Sequence, residues 1–408
     1  MKILVITQNF YPDDFNINEI TFRMAIDGHD VHVLTGLPNY PNGVVPEEYK
    51  WPKVKTETVN GVTVHRTKIH ERRDGIYHRF LNYASFALNS KKRLKDLPKD
   101  FDVILSYQLS PISMAHAARA LRKQADIPLS MYVLDIWPES LKAWHLKETN
   151  PVYKIISKYS KNIYSSADQL LISSEPFAEY LHITHGLDPE EMNYLPQHSI
   201  DMLSEEELPN PFNDGKKHFI YAGNIGAVQM LDILVDAAEI LQAKYADRAK
   251  NVQIDIFGDG SEFARIKELV EQKSLDNIMK LHGRVSKDEL KAYYKHAYAF
   301  LLTLKRENYI GDTLPAKLQG YMSAAKPVIA MAGAGASAVL QESEAGLTVE
   351  QGRSDILAEN ILRLEYDYEL VNNMGENARA YYDQHFTLDE FMRKLYSYLE
   401  ALIERGVN

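Results

Sequence analysis

Cysteine is absent from this sequence of 408 residues. Without cysteine there is no disulfide framework, no thiolate metal site and no cysteine nucleophile, and such chains are typical of a reducing compartment. Long apolar runs are also absent, because none approaches the roughly 20 residues that a membrane-spanning helix requires. The first residues, Met1–Gln8, turn polar too early for a signal peptide. We therefore expect a cytoplasmic protein without disulfides or spanning segments.

Two ligand-binding patterns are missing as well. No G-x-G-x-x-G fingerprint follows the first predicted strand, which weakens a dehydrogenase interpretation. No Asp-x-Asp follows a predicted strand at the ligand-binding edge and the histidines do not cluster, so we expect no bound metal. The chain has 45% apolar and 25% charged residues, which is typical of a soluble globular protein.

Acidic and basic residues are unevenly distributed. Residues 1–195 carry 23 Lys or Arg and 23 Asp or Glu, whereas the rest of the chain carries 23 and 33, which produces the net charge of −10. Within the balanced half, residues 65–99 hold ten basic and three acidic residues among aromatic and aliphatic ones. Such a helical surface favours contact with an anionic membrane. A solvated charged face is the alternative, and nucleic acid ranks lower because the chain is acidic and has no nucleic-acid motif.

The length predicts two or three domains, since single cores stop growing beyond about 250 to 300 residues. Short apolar runs alternate with helical patterns up to His185, and the alternation restarts at Phe219 after the aperiodic linker 195–217. This alternation predicts parallel sheets with helices on both faces. We predict two doubly wound α/β domains, residues 1–195 and 196–385, followed by an amphipathic helix in residues 386–408.

In doubly wound sheets, ligands bind at the carboxyl ends of the strands, so residues that follow predicted strands are the binding candidates. In the first domain, the loop after the first strand carries Tyr11, Phe15 and Asn16. After a later strand, the Asp135 carboxylate could accept hydrogen bonds from sugar hydroxyls and the Trp137 indole could stack on a sugar ring. The alternative interpretation is that Asp135 caps a helix and that Trp137 belongs to the core.

The second domain offers a longer series of candidates. Turns that contain glycine follow three predicted strands and carry Gly223 and Asn224, Gly258 and Gly260, and Arg284 and Val285. The stretch from Gly311 to Ala330 predicts a loop, a helix and a buried strand, and the residues near the helix start are Asp312, Thr313, Leu314, Pro315, Lys317 and Gln319. A helix N-terminus attracts anions because its first N–H groups are unpaired. Lys317 is the best candidate to bind an anion there, because it lies where the loop becomes a helix.

The segments Leu314-Pro315-Ala316-Lys317 and Asp135-Ile136-Trp137-Pro138 resemble the family 4 retaining glycosyltransferases. The resemblance extends over essentially the whole chain, within a clade of bacterial capsule, O-antigen and exopolysaccharide sugar transferases that resembles L-fucosamine transferases. It implies the GT-B fold, in which two Rossmann-like domains face each other across a cleft and the C-terminal helix crosses back to the first domain. The first domain would bind the acceptor and the second the nucleotide sugar.

The resemblance also implies roles for the candidate residues. Asp135, Lys317 and Asp312 would form the catalytic group, with Asp312 on donor hydroxyls. The turns would hold the diphosphate, and the backbone at Arg284 and Val285 would read the base. The chain departs from the family at donor positions, where Asn224, Gln229 and Gly320 replace an arginine, a lysine and a glutamate. Because Gly320 cannot hold the ribose, Gln319 is the remaining candidate for that contact.

The expected activity is that of a retaining glycosyltransferase. By the resemblance, it moves a sugar, an N-acetylated deoxyhexose as a guess from the clade, from UDP to a polyprenyl-diphosphate-linked saccharide at the inner face of a bacterial membrane. The family's usual proposal is same-face attack, in which the leaving phosphate takes the acceptor's proton and neither a cofactor nor a protein nucleophile is needed. Two alternatives stay open: a sugar-nucleotide 2-epimerase of GT-B fold and a catalytically silent nucleotide-sugar-binding subunit.

Overall fold

The computed structural model describes residues 1–73, 75–144, 146–203, 207–306 and 308–406. The chain divides into two compact units, one of Met1–Leu195 with Met392–Asn408 and one of Pro196–Phe391. The second unit therefore extends past 385, where the last helical segment was predicted to begin, because Phe386 is fully buried in its core.

The first unit contains a mostly parallel sheet. Its strands are β1 Lys2–Ile6, β2 Asp30–Thr35, β3 Thr56–Val59, β4 Val62–Arg66, β5 Val103–Gln108, β6 Leu129–Val133, β7 Gln169–Ile172 and β8 Met192–Tyr194. They are arranged in the order β3-β4-β2-β1-β5-β6-β7-β8, and β3 is antiparallel to β4. Strands β2 to β4 therefore lie on one side of β1, and strands β5 to β8 lie on its other side. The carboxyl ends of β1 and β5 therefore form the switch point, where doubly wound sheets bind ligands.

The helices of the first unit cover this sheet. They are α1 Asn16–Ile26, α2 Ile76–Arg93, α3 His116–Ala125, α4 Pro151–Tyr164 and α5 Pro176–His185. All residues of β5 and β6 are buried, as expected for central strands of a parallel sheet with helices on both faces. A 3-10 turn at Ile112–Ala115 directly precedes α3.

The second unit repeats the architecture with a parallel sheet. Its strands are β9 Lys217–Ala222, β10 Val252–Phe257, β11 Met279–Gly283, β12 Ala299–Thr303, β13 Val328–Met331 and β14 Gly346–Thr348. Their order is β11-β10-β9-β12-β13-β14, so the switch point lies between β9 and β12. Its helices are α6 Asp232–Lys244, α7 Phe263–Gln272, α8 Lys287–His296, α9 Asn308–Gly311, α10 Ala316–Ser323, α11 Ala334–Ser343, α12 Ser354–Tyr366 and α13 Tyr368–His385.

The last helix, α14 Leu388–Gly406, joins the first unit along most of its length. The Tyr396 hydroxyl bonds to Asp27 at 2.8 Å, and the Gln169 amide donates to the Tyr398 carbonyl at 3.3 Å. Among the helices in the described part of the chain, none is both long and apolar enough to cross a membrane. The prediction of two doubly wound α/β domains is confirmed.

The linker predicted over 195–217 contains no helix or strand in residues 196–203 and 207–216, and its residues 204–206 lie outside the described residues. Elements that were not predicted include β3, β8, β14 and the helices α11, α12 and α13. Four of these elements, α11, β14, α12 and α13, follow the stretch Gly311–Ala330, which contains the last sequence motif described above.

Candidate functional site

The turns after β9, β10 and β11 are joined by backbone hydrogen bonds. The Gly223 amide donates to the Phe257 carbonyl at 2.9 Å, and the Gly258 amide donates to the Gly283 carbonyl at 2.8 Å. The Ile225 amide likewise reaches the carbonyl of Asp259 at 2.9 Å. The predicted turns therefore form one continuous backbone surface beside the switch point of the second unit.

Two glycines allow this close approach. Gly258 has a φ of +134°, and a Cβ placed on it would lie 1.8 Å from the Gly223 carbonyl oxygen. Gly260 has a φ of +158°, and its Cβ would lie 2.3 Å from the Ile225 carbonyl oxygen. A side chain at either position would force the turns apart, so both glycines are required for the geometry.

Lys317 extends from the first turn of α10 over the Gly223 turn. Its Nζ donates to the Tyr221 hydroxyl at 2.6 Å and lies 4.6 Å from the Tyr221 ring centroid. A Cβ on Gly223 would meet Lys317 Cε at 2.1 Å, so the glycine leaves room for the lysine stem. Burial lowers the pKa of Lys317 to about 8. Among the described residues Lys317 has no ion-pair partner, so an arriving anion would find a cation that has lost part of its hydration.

Two tyrosines that were not predicted hold this arrangement. The Tyr321 hydroxyl accepts the Ala222 amide at 2.9 Å and donates to the Ala222 carbonyl at 3.1 Å. The Tyr221 hydroxyl donates to the Asn224 carbonyl at 2.6 Å. Tyr321 follows Lys317 by four residues, and residues at this spacing share a helix face. That spacing was the signal that could have identified it.

Asn224 and Gln229 bond to each other rather than remaining available in the turn. The Asn224 amide donates to Gln229 Oε1 at 3.1 Å, and the Gly226 amide donates to the same oxygen at 3.1 Å. Gln229 therefore closes the short turn after β9. This geometry does not support the phosphate contacts that their positions implied.

Asp312 lies at the N-terminus of α11. Its Oδ1 accepts the Ala334 amide at 2.9 Å and lies 3.3 Å from Arg306 Nε. Asp312 was predicted to contact donor hydroxyls, and one oxygen of its carboxylate thus stabilises the start of α11. The neighbouring predicted residues Thr313 and Leu314 are half-buried, and Pro315 is the N-cap of α10.

Gln319 requires a correction. Its side chain is 1% exposed, and among the described residues its Oε1 has no hydrogen-bond partner. A side chain in this position does not reach a ribose. Gly320 lies on a more open side of α10, and a Cβ there would meet only Ser199 Oγ, at 3.5 Å. At the base-reading turn, Arg284 is exposed and Val285 is half-buried against the core.

In the first unit, Asp135 is the centre of a polar cluster after β6. Its carboxylate accepts hydrogen bonds from Ser140 Oγ at 2.6 Å and from Trp137 Nε1 at 3.2 Å, and the Ser110 hydroxyl bonds to it as well. Burial raises the pKa of Asp135 even though these three donors oppose the shift. The cluster brings together the ends of β5 and β6, close to the switch point.

The prediction that Trp137 stacks on a sugar is not supported by its burial. The side chain is 6% exposed, and Nε1 also donates to Ser110 Oγ at 2.9 Å. Its backbone carbonyl bonds to His185 Nε2 at 2.8 Å, and its amide donates to the Tyr164 hydroxyl at 3.1 Å. Trp137 therefore packs in the core and orients the Asp135 cluster, which is the alternative that the sequence left open.

The predicted acceptor loop lies before α1. Tyr11 is 39% exposed, Phe15 is half-buried with its ring 5.2 Å from that of Tyr40, and Asn16 is exposed at the helix start. Arg66 stabilises this loop, because its guanidinium donates a hydrogen bond to the Tyr11 carbonyl at 2.7 Å. The structure thus places the three predicted residues on one accessible loop at the carboxyl end of β1.

Arg66 also corrects the interpretation of the basic segment 65–99. It is fully buried and paired with Glu57, so it cannot contact a membrane. Arg93 is engaged too, because it pairs with Asp96 at 2.6 Å and its side chain is 16% exposed. Asp74 and the side chain of Ile76 lie outside the described residues. The exposed positive charge at the end of α2 comes from Lys91 and Lys92.

Comparisons with known proteins agree with this architecture. Residues 17–197 match the model of Glycosyltransferase Family 4, and residues 204–381 match the model of Glycosyl transferases group 1. The chain is 26% identical over 350 residues to WcaI of Escherichia coli K12, a putative colanic acid biosynthesis glycosyl transferase, which covers 79% of this chain and 81% of that protein. It is 22% identical over 417 residues to an O-antigen chain mannosyltransferase C of Escherichia coli, with 99% of each chain covered.

A solved structure supports the fold. The crystal structure of Anabaena Alr3699/HepE in complex with UDP superposes with a TM-score of 0.70 at 15% identity and covers 98% of this chain and 100% of that one. The two doubly wound units, the joined turns beside β9 and the two family matches lead to one assignment: this chain belongs to the group 1 and family 4 glycosyltransferases of GT-B fold.

Proposed function

We propose that this glycosyltransferase transfers a sugar, with retention of configuration, from UDP to a lipid-linked saccharide during synthesis of a bacterial surface polysaccharide. The second unit would bind the donor and the first unit the acceptor. The observation that carries the donor site is the half-buried ammonium of Lys317, which extends over the Gly223 turn and has no ion-pair partner among the described residues.

The chemistry follows from this charge. When the bond to the sugar breaks, negative charge accumulates on the leaving diphosphate, and a fixed cation in a partly desolvated site stabilises it more than water would. The amides of Ala316 and Lys317 would add to the effect, because the first N–H groups of a helix have no carbonyl partner within it. With the phosphate oxygen taking the acceptor's proton, the reaction needs neither a protein nucleophile nor a metal.

The relatives support the choice of substrates. The WcaI relative is named for colanic acid biosynthesis and the mannosyltransferase relative for the O-antigen chain, and these names support polysaccharide synthesis as the role of this chain. The Anabaena protein was crystallised with UDP. In the first unit, Asp135 and the loop of Tyr11 and Asn16 lie at strand ends beside the switch point and would contact the acceptor hydroxyls.

The donor site is tested by calorimetric titration of the full chain with UDP, GDP and dTDP in buffer free of divalent metal. We expect UDP to bind, and Lys317→Ala to weaken its affinity by at least about 1.5 kcal/mol, because a hydrogen-bonded ion pair with phosphate is lost. Lys326→Ala is the matched control. Lys326 is a second half-buried lysine with a pKa lowered by burial, and it lies beyond the opposite end of α10.

The outcomes separate the alternatives. If no nucleotide binds, or if both lysine variants bind as the wild type does, the donor-site assignment is wrong. If the chain binds UDP-sugar and inverts the sugar at C2 without an acceptor, it is an epimerase. Binding without any turnover of donor over a panel of lipid-linked saccharides would identify a binding subunit. Retention is read from the anomeric proton coupling of the product.

We propose further that α2 docks the first unit on an anionic membrane. Tyr77, Phe80 and Leu88 are 69%, 66% and 59% exposed. Together with Lys91 they are separated by three, eight and three residues, which places all four on one face of a helix with 3.6 residues per turn. The 18 residues of α2 include no Asp or Glu in a chain of net charge −10. An apolar stripe that ends in lysines suits the boundary between acyl chains and anionic headgroups.

A further inference from the structure

A chain of alternating carboxylates and imidazoles crosses one face of the second sheet. Asp214 Oδ1 lies 3.0 Å from His218 Nε2, His218 Nδ1 lies 2.7 Å from Asp255 Oδ2, and Asp255 Oδ1 lies 2.6 Å from His282 Nε2. We name these four side chains the relay. His218 is 5% exposed and Asp255 is 1% exposed. The mechanism described above uses none of the four.

The relay has two ends of different character. At one end, Asp214 belongs to the linker, and the linker residue Phe212 stacks on His218 with ring centroids 3.5 Å apart. At the other end, His282 stacks on Phe257 with centroids 4.3 Å apart and an interplanar angle of 8°. His282 is followed directly by Gly283, with a φ of +74°, at the turn expected to read the base.

The pairing of β10 with β11 becomes irregular at this point. Ile256 pairs with Leu281 but Phe257 pairs with Gly283, so His282 has no partner on β10 and the register shifts by one residue. Such bulges re-aim the strand that carries them and commonly lie beside functional sites. Because Asp255 and Phe257 fix the imidazole of His282, they also fix where the backbone leaves the strand.

The geometry of His218 determines its charge. Both ring nitrogens face carboxylate oxygens, and a neutral imidazole can donate through only one of them. Both contacts are therefore hydrogen bonds only when the ring is an imidazolium. Burial by itself lowers the pKa of His218, but the contacts with Asp255 and Asp214 outweigh it and the pKa is raised. The relay then joins two carboxylates through one positive ring.

We propose that the relay is a positioning device, in which His282 and Asp255 hold the turn Gly283–Val285 in the form that reads the nucleotide base, and His218 couples that turn to the linker at Asp214. The inference rests on the proposed donor site for its functional meaning. None of the four side chains contacts the nucleotide in this scheme. They act through the backbone of the turn.

Other charged groups surround the relay. It lines a cavity of about 790 Å³ that admits solvent to His218 and His282. The remaining titratable side chains that line this cavity are Lys216, Lys267, Glu271, Asp276, Lys280 and Tyr293. Of these, Lys216 is already bonded to Gln253 and to the Asn277 carbonyl. Both carboxylates that contact His218 belong to the relay, so protonation of this ring governs both contacts.

The first experiment needs no ligand. Hydrogen–deuterium exchange of the full chain is compared at one pH for the wild type, His282→Leu and His282→Gln, and is followed in peptides that contain Gly258 and Gly283–Val285. We expect His282→Leu to speed exchange at least about tenfold, the loss that corresponds to one hydrogen bond to a charged group. His282→Gln keeps a donor for Asp255 and is expected to recover part of the protection. His296→Leu, which removes a contact between α8 and the Leu208 carbonyl, is the control and is expected to leave this turn unchanged.

A second measurement uses pH. The excess stability of the wild type over His218→Gln is expected in full below about pH 6.5, the ordinary histidine value, and to disappear as pH rises through the higher pKa of His218 in the folded chain. As the ring loses its proton, the exposed Asp214 contact is expected to break first, so exchange in linker residues 211–216 should rise before exchange at the turn. If His282→Leu does not fold, His218→Gln alone decides.

The test separates this inference from the donor site. If His282→Leu and His218→Gln show wild-type exchange at the turn and wild-type UDP affinity while Lys317→Ala loses UDP, the relay is only a buried ion cluster and the inference is wrong. If the exchange changes as expected but UDP does not bind the wild type, the coupling stands and the donor site fails. A loss of UDP affinity of about tenfold in His282→Leu, partly restored in His282→Gln, supports both.

Discussion

At the scale of single residues, Lys317 combines two properties that usually exclude each other. Its ammonium is partly removed from water, which lowers its pKa to about 8, yet it has only the Tyr221 hydroxyl as a polar contact among the residues that the structure describes. A structural lysine at such a depth would be expected to pair with a carboxylate. Lys326 shares the burial, but Lys317 differs from it in position, because its ammonium lies over the Gly223 turn in the first turn of α10. The missing partner and this position together are the chemical argument for a phosphate, since a diphosphate would supply the charge that the fold leaves out.

The pKa of Lys317 leads to a prediction about pH. As pH rises through about 8, the ammonium loses its proton, so the affinity for UDP is expected to fall. The stability of the ligand-free chain is expected to move the opposite way. Between about pH 8 and 10.5 the unfolded lysine still binds its proton while the folded one has lost it, so this residue makes folding more favourable as pH rises. Calorimetry and urea unfolding over this range measure the two trends, and Lys317→Met should remove both. Parallel trends in the wild type would contradict the assignment.

At the scale of elements, α10 carries a glycine in its interior. Gly320 is in a helical turn, and among the described residues a new Cβ would meet only Ser199 Oγ, at 3.5 Å, which is an ordinary contact. Because glycine loses more conformational entropy than alanine on folding, Gly320→Ala is expected to raise the free energy of unfolding by about 0.5 to 1 kcal/mol. Urea denaturation measures the change. Gly258→Ala is the opposing control and is expected to destabilise, since its Cβ would lie 1.8 Å from a carbonyl oxygen. Destabilisation by Gly320→Ala would mean that α10 is strained in some other way.

The comparison of sequence and structure also belongs to this scale. Strand alternation identified both sheets, and the strand-end rule found the turns at Gly223 and Gly258, because these depend on backbone patterns. The rule does not predict side-chain direction, which explains the error at Trp137. Gln319 was chosen only because it neighbours Gly320, and adjacent residues of a helix point in different directions. The hairpin of β3 and β4 was missed although the sequence contains Asn60-Gly61, a dipeptide typical of tight hairpin turns, and both residues have positive φ in the structure. Its first strand is short and polar, so the period of two was hidden.

At the scale of the whole molecule, the two halves of the chain differ in net charge. The second half carries the whole net charge of −10, whereas the first half is neutral and concentrates its positive charge in residues 65–99. If α2 docks as proposed, an anionic membrane would attract its basic stripe and repel the acidic half of the chain. The same membrane would carry a polyprenyl-linked acceptor, so docking by α2 would bring the first unit and its acceptor loop to the substrate.

Docking is tested by vesicle pelleting with Lys91→Glu/Lys92→Glu. These lysines end the exposed stripe of α2, whereas Arg66 and Arg93 are engaged within the fold and are left unchanged. Each lysine near an anionic surface contributes about 1 kcal/mol, so the double variant is expected to lower the partition coefficient on anionic vesicles by roughly thirtyfold or more. Lys244→Glu/Lys250→Glu is the matched control. It moves the net charge from −10 to −14 as well, but on the second unit.

If both variants lose binding equally, total charge and not α2 governs the contact. If neither loses it, the docking proposal is wrong. Neutral phosphatidylcholine vesicles, which should bind none of the three proteins strongly, separate the electrostatic part from the insertion of Tyr77 and Phe80.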